Sequence, residues 1–466
     1  MQPSLAPMTD TTPTDSVTLR GAPGGAPFLG VFAEAKRGRL PMLVRFAREY
    51  GDFIPFTIMG KKVIQVNHPA LVRQVLVDNH KNYYKSNTYE RFEAVLGLGL
   101  LTSNGDKWKR DRQKIQPMFR REQVEGYYFQ VIRQVCEKYK QRWLELTQNG
   151  PAQIDLSYEM ACITIEVILR ALYGKDNLDE QTIRALHKSY SVFLDYLQHP
   201  RTFPKVDLCK TFRMPSWREF DREVRFVEGV LDSMARQYRG NVAADKFNML
   251  ALLIEAQKQD PENFTEKDLR DHCVSMVFAG FETTSTAMSW IWYALDGAPR
   301  AVDTLVEELR ARVGELTVAQ LEAMPYLDAV LRETMRIHPP FWVTSRRPVQ
   351  DDFFGSYRVE KDTVVLLPQI IMHRHPRWWE NPNAFLPERF LNGALDQVDP
   401  GLYFPFSQGP RKCSGYRFAE LEAKTAFATL LPHFSFTLLN SIGNHYDPGI
   451  SLKPQQHLMA EIRRRA

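Results

Sequence analysis

The chain has 466 residues, 44 per cent hydrophobic and 12 per cent aromatic, with a net charge of +5. That balance is globular, and so small an excess of basic residues, interspersed with acids, excludes a nucleic-acid binder held by a polybasic surface. Five scattered cysteines (Cys136, Cys162, Cys209, Cys273 and Cys413) with no Cys-x-x-Cys pair indicate neither a disulfide framework nor a zinc site, which points to a reducing, cytoplasmic setting.

Residues 1–21, rich in Pro, Thr and Asp, lack the order of a signal peptide and read as disordered. No segment reaches the roughly 18 apolar residues of a membrane span, so a soluble protein without a membrane anchor is expected. Leu40–Tyr50 has helical spacing, Asp52–Val66 reads as a hairpin around Met59-Gly60, and Pro69–Asn79 is again helical. The apolar, glycine-containing run Val95–Leu101 suits either a loop over a pocket or ordinary core packing. Trp108 and Arg112 stand four apart, on one helix face, and can converge on a single anion. Lys107–Arg121 carries seven basic residues and one acid, which fits an acidic docking partner or a solvated face. Amphipathic helices follow at Glu122–Gln148, Ser157–Tyr173, Asp179–Tyr196 and Trp217–Tyr238. The link 198–216 contains Pro200, Pro204 and Pro215 and cannot be one helix.

A long helix is expected from Thr265, with Asp268 completing a capping-box variant, to Asp296, where Gly297 and Pro299 end it. Its middle, Ala279-Gly280-Phe281-Glu282-Thr283-Thr284, sets a glycine, a carboxylate and two hydroxyls in an apolar helix. Glycine there costs on the order of 1 kcal/mol relative to alanine, and threonine can divert backbone hydrogen bonds, so the patch suggests a functional constraint. A hydroxyl beside an acid can hold a water and relay protons. Helices are expected at Arg300–Val313, from Thr317, and over Tyr326–His338, where Glu333 and Arg336 share a face; Thr363–Leu367 reads as a buried strand. His373 and His375 read as turn and surface residues. Phe434–Leu439 and Leu452–Ile462 close the chain as strands.

One stretch organises the rest: Phe406-Ser-Gln-Gly409-Pro-Arg411-Lys-Cys413-Ser-Gly415 sets a cysteine between two glycines and beside two cations, just before the helical run Tyr416–Leu430. Unpaired N–H groups at the helix start favour an anion, and a cysteine so placed is a competent metal ligand. The glycines allow close approach of a flat ligand.

The spacing Phe-x-x-Gly-x-Arg-x-Cys-x-Gly resembles the haem-thiolate signature of the cytochrome P450 family. Ala279–Thr284 resembles that family's oxygen-activation motif, Trp108-x-x-x-Arg112 its propionate-binding pair, and Glu333-x-x-Arg336 with Arg389 its Glu-Arg-Arg scaffold. The resemblance spans residues 22–464. It implies one catalytic domain over residues 22–466, mainly α with small β-sheets, and haem b (iron protoporphyrin IX) between the long helix and the cysteine loop. It makes Cys413 the iron ligand. Thr283 would then stabilise the activated oxygen state and Glu282 would feed protons to it. Trp108, Arg112, Ala279, Gly280, Arg346, Phe406, Arg411 and Gly415 would contact the haem, with the doublet Arg346-Arg347 leaving the register open. Val343 and Thr344 would face substrate, and residues 198–216 would form a lid over it.

The implied reaction is hydroxylation or epoxidation of a lipophilic small molecule (a fatty acid, terpenoid or polyketide) by a soluble, bacterial-type monooxygenase. No Gly-x-Gly-x-x-Gly or flavin-binding segment is present, so electrons from NAD(P)H would come through a separate ferredoxin or flavodoxin and its reductase. The alternatives are a peroxide-driven or rearranging haem-thiolate enzyme and a non-catalytic haem-binding sensor.

Overall fold

A computed structural model describes residues 22–174, 178–198, 202–203, 206–239, 247–393, 397–440 and 446–465. The expectation of disorder at residues 1–21 lies outside these, as do Pro200 and Pro204 of the expected lid. The chain packs as two compact units, each assembled from three separated stretches.

The first unit (Met1–Ser86, Arg332–Cys413 and Ile442–Gln455) holds the principal sheet. Phe53–Ile58 and Lys61–Val66 pair antiparallel with Phe53 opposite Val66. Met59 and Gly60 both have positive φ (50° and 73°), the two-residue turn whose twist matches paired strands. The sheet continues through Val364–Leu367, parallel to the hairpin, then antiparallel to Thr344–Pro348 and on to Tyr83–Lys85.

The same unit contains an ionic cluster in which Glu333 and Arg336 are fully buried and Arg389 is half-buried. Glu333 Oε2 accepts from Arg336 Nε (2.7 Å), and Oε1 accepts from Arg336 Nη2 (2.8 Å), Arg389 Nε (3.0 Å) and the Leu386 N–H (2.9 Å). The remaining Arg336 N–H groups reach the carbonyls of His373, Pro382 and Ala384. Every donor of a guanidinium removed from water is thereby met, the condition under which a buried charge is tolerable.

The second unit (Asn87–Leu331, Ser414–Ser441 and Gln456–Ala466) is helical, with one three-stranded sheet of Phe434–Leu438, Met459–Arg464 and Ala152–Asp155. Its axis is the helix Glu266–Asp296, started by the expected reciprocal cap of Thr265 and Asp268. It packs on Leu156–Tyr173, and a Cβ on Gly280 would stand 3.0 Å from the Ile168 side chain, so the glycine permits that close approach. Its own Trp290 and Trp292 are fully buried, as is Trp143, whose ring centre lies 6.0 Å from that of Trp292. The unit also contains the basic helix Gly105–Ile115, the helices Phe129–Leu146, Glu180–Gln198, Pro215–Arg239, Pro299–Arg310 and Tyr416–Leu430, and a helix Met249–Gln259 absent from the sequence reading. Among the described residues no helix is long and apolar enough to cross a membrane.

The surface assignment of His373 needs correction, and His375 is half-buried. The helix Gln369–Met372 that precedes them is buried throughout, and His373 is 0% exposed. Burial pushes its pKa down from 6.5 to about 3, lowers that of His375 to about 4, and holds that of His338 well below the ordinary value. These side chains are neutral in the fold, whereas the unfolded chain binds protons on them below about pH 6.5. Stability is therefore expected to fall as the pH drops from about 6.5 toward 4, by up to roughly 1.4 kcal/mol per pH unit for each group. Denaturant midpoints across that range, compared with those of His375→Gln, measure the slope. Glu333→Ala leaves two guanidinium groups short of their counter-ion and should cost about 3–5 kcal/mol in the same assay.

Candidate active site

Cys413 is the one exposed cysteine of the five, and none of the five forms a disulfide among the described residues. It ends a tight loop in the first unit: the Phe404 carbonyl accepts from Ser407 N–H (2.9 Å), that of Gly409 from Lys412 N–H (3.0 Å) and that of Phe406 from Cys413 N–H (3.0 Å). Ser407 (φ 59°) and Gly409 (φ 64°) are left-handed. A Cβ on Gly409 would lie 2.0 Å from the Leu76 carbonyl oxygen, so no side chain is admitted there. Gly415 is different. Its φ is −90°, and a Cβ would meet only the Phe119 ring, at 3.4 Å, so its smallness answers no demand of the backbone and is available to a flat group bound beside it. Ser407 Oγ and Gln408 Oε1 are buried without a hydrogen-bond partner among the described residues. Phe406 and Arg411 are half-buried.

In the second unit, Tyr416–Leu430 begins directly after this loop with no side-chain cap at Gly415, leaving its first N–H groups to other acceptors. Arg112 Nη1 donates to Ser414 Oγ (2.5 Å), so its guanidinium stands beside the residue that follows Cys413. Two contacts hold the basic helix in place. Lys107 donates to Asp268 (2.5 Å), and buried His272 lies 3.3 Å from the fully buried carboxylate of Asp111; Asp268 and His272 are both on the long helix. The basic stretch therefore divides between the two readings. Lys107 and Lys114 are committed to Asp268 and Asp260, and Arg121 to Glu125 and Glu322, whereas Lys109, Arg110 and Arg120 are exposed.

On the long helix the surroundings of Ala279–Thr284 are sorted by face. Phe278, Phe281, Glu282 and Thr284 are buried, while Met276, Ala279, Gly280 and Thr283 keep access, at the spacing of one helical stripe. Thr283 Oγ1 donates to the Ala279 carbonyl (2.9 Å), which leaves its lone pairs as acceptors. Phe281 packs against Tyr190 of Glu180–Gln198 with ring centres 4.5 Å apart. The Val95–Leu101 run ties to the same helix: Ser275 Oγ donates to the Leu96 carbonyl and Asp271 accepts from Leu98 N–H, with Leu96 buried and Leu98 exposed.

Of the arginine doublet in the first unit, Arg347 pairs with Asp362, and Arg346 is buried, its Nη1 donating to the Ser345 carbonyl at 3.0 Å. Thr344 is buried and accepts from Gln369 Nε2 (2.7 Å). Sequence reasoning missed Ser414 and His373, whose partners lie far along the chain.

Each taken by itself, the exposed Cys413 thiol, two residues after Arg411 on the loop of the first unit, and the small-residue stripe of Ala279, Gly280 and Thr283 on the long helix of the second suit an anionic, flat iron porphyrin. The residues present fit a haem-thiolate protein. Residues 21–459 match the family described as Cytochrome P450. The chain is 27% identical over 440 residues to cyclooctatin synthase of Streptomyces melanosporofaciens, covering 94% of this chain and 92% of that one. Cytochrome P450 4V2 of Homo sapiens is 28% identical over 386 residues, covering 78% and 72%. Protein LUTEIN DEFICIENT 5, chloroplastic, of Arabidopsis thaliana is 25% identical over 414 residues, covering 84% and 68%. The chain belongs to the cytochrome P450 family, and with it to the haem-binding monooxygenases.

Gly409→Ala forces both a left-handed alanine and an overlap with the Leu76 carbonyl, at a cost of roughly 2–4 kcal/mol. Purified variant should retain markedly less haem per chain than wild type, measured as the ratio of Soret to protein absorbance.

Proposed function

We propose that this protein is an O2- and NAD(P)H-dependent monooxygenase that hydroxylates or epoxidises a lipophilic small molecule, with Cys413 as the axial ligand of haem b. Bound haem supplies the oxidising chemistry, and a thiolate ligand favours cleavage of the O–O bond. The observation that carries this reading is Cys413 itself: an exposed thiol on a loop shaped around a position, Gly409, that admits only glycine.

The roles of the other residues follow from their chemistry. Arg112, with Trp108, and the buried Arg346 offer cationic or N–H donors to the propionate groups. Phe406, Arg411 and Gly415 frame the thiolate side, and Ala279 and Gly280 present no side chain large enough to obstruct a flat ring. Thr283, whose hydroxyl already donates to Ala279, receives a hydrogen bond from water and passes a proton on when it turns from that carbonyl. Glu282, buried next to it in sequence, supplies the acid from which such a proton comes. Exposed Lys109, Arg110 and Arg120 suit the acidic surface of a ferredoxin or flavodoxin that brings electrons from a separate reductase. The lipophilic substrate class, a fatty acid, terpenoid or polyketide, rests on the apolar run around Leu96 and on Phe92, Phe341 and Trp342.

The reduced protein treated with CO should show the Soret band of thiolate ligation, and Cys413→Ala should abolish it; a wild-type spectrum without that band overturns the assignment. Thr283→Ala should keep the band yet release most reducing equivalents as peroxide or water, lowering product per NAD(P)H by about tenfold or more. Full turnover driven by hydrogen peroxide without any reductase would favour the peroxide-driven reading instead.

A further inference from the structure

The first unit contains a buried imidazole that no catalytic step requires. His373 is 0% exposed, and its two ring nitrogens have different tasks. Nε2 accepts the Phe404 N–H at 3.0 Å, and Nδ1 lies 3.4 Å from the Met335 carbonyl. An acceptor opposite one nitrogen and a donor opposite the other define the tautomer: the proton is on Nδ1 and the lone pair is on Nε2. The backbone of the same residue is held as well, since its carbonyl accepts from Arg336 Nη1 at 2.9 Å. The ring is boxed by Tyr403 (centres 5.1 Å apart) and Phe404 (5.4 Å, edge-on).

Phe404 is where the cysteine loop begins. Its N–H goes to His373, its carbonyl receives Ser407 N–H, and the next hydrogen bond along, from Cys413 N–H to the Phe406 carbonyl, closes the loop. Phe404 is itself buried (2% exposed), so without the imidazole its N–H has no water to turn to. The Glu333–Arg336 cluster thus connects to the loop through one side chain: guanidinium to His373 carbonyl, imidazole to Phe404 N–H, and loop to Cys413. We propose that His373 is a positioning residue for the haem ligand, its Nε2 anchoring the Phe404 N–H and so the turn that presents the Cys413 sulfur. The inference rests on the reading of Cys413 as the ligand. Its chemistry asks for an acceptor at the Nε2 position, which glutamine's Oε1 can reach and leucine's methyl groups cannot replace.

The test compares holoprotein of wild type, His373→Gln, His373→Leu and, as a packing control in the same buried turn, Ile370→Ala. Two quantities are read: the share of the CO complex at the thiolate Soret position, and the rate of haem transfer to excess apomyoglobin. His373→Leu should lose much of the thiolate share and release haem roughly tenfold faster. His373→Gln should stay near wild type, and Ile370→Ala should lower the unfolding midpoint while leaving the thiolate share unchanged. If His373→Leu yields no folded protein, retention of the thiolate share by His373→Gln and Ile370→Ala supports the proposal, and loss in both overturns it. Wild-type behaviour in His373→Leu, or equal loss in the leucine, glutamine and isoleucine-site variants, overturns it too. A wild-type spectrum without the thiolate band would instead remove the Cys413 assignment on which the inference stands.

Discussion

The first unit depends on one carboxylate. Glu333 is fully buried, with four N–H groups directed at its oxygens, from Arg336, Arg389 and the Leu386 backbone. Because Arg336 spends its other donors on carbonyls of 373, 382 and 384, the ion pair also fixes irregular chain that has no ladder of its own. A hydrophobic cluster could hold such a segment only loosely, since apolar contact is not directional. A saturated guanidinium specifies where each carbonyl must be, and the cysteine loop inherits that definition.

The long helix of the second unit embodies a different compromise. Its ends obey ordinary capping chemistry, while its middle contains residues that weaken a helix. The hydroxyls of Thr283, Ser285 and Ser289 are absorbed by carbonyls three or four residues back, and Gly280 is filled by Ile168 from the crossing helix. Local weakness is thus offset by packing against the crossing helix, while Ala279 and Thr283 keep their access.

What could be read in advance follows from the range of the interactions. The Thr265–Asp268 cap, the Met59-Gly60 turn and the Glu333–Arg336 pair are contained within a few residues and were legible. The cysteine motif was legible for the same reason: its loop geometry is written in its own glycines. His373 was misread because His-Arg-His-Pro looks like a turn, whereas its burial is decided by Phe404 and Met335, which local spacing does not bring near it. Ser414, the acceptor for Arg112, gives no signal at all. The helix Met249–Gln259 was missed although Asn248, which accepts from Ala251 N–H at 2.8 Å, was present to mark its start.

The first unit is interleaved with the second along the chain, and this affects the order in which the protein can be made. The hairpin strand Lys61–Val66 emerges early from the ribosome, but the strand that covers its free edge, Val364–Leu367, is translated much later, and residues 442–455 later still. Until then an apolar edge with unpaired N–H and C=O groups has no native partner. The hairpin and the helices of Asn87–Leu331 are translated ahead of the rest of the main sheet, and closing that intervening chain is the costly step. Synthesis therefore includes a long interval in which the nascent chain is open to wrong pairing, and a chaperone that shields Phe53–Val66 would act during that interval.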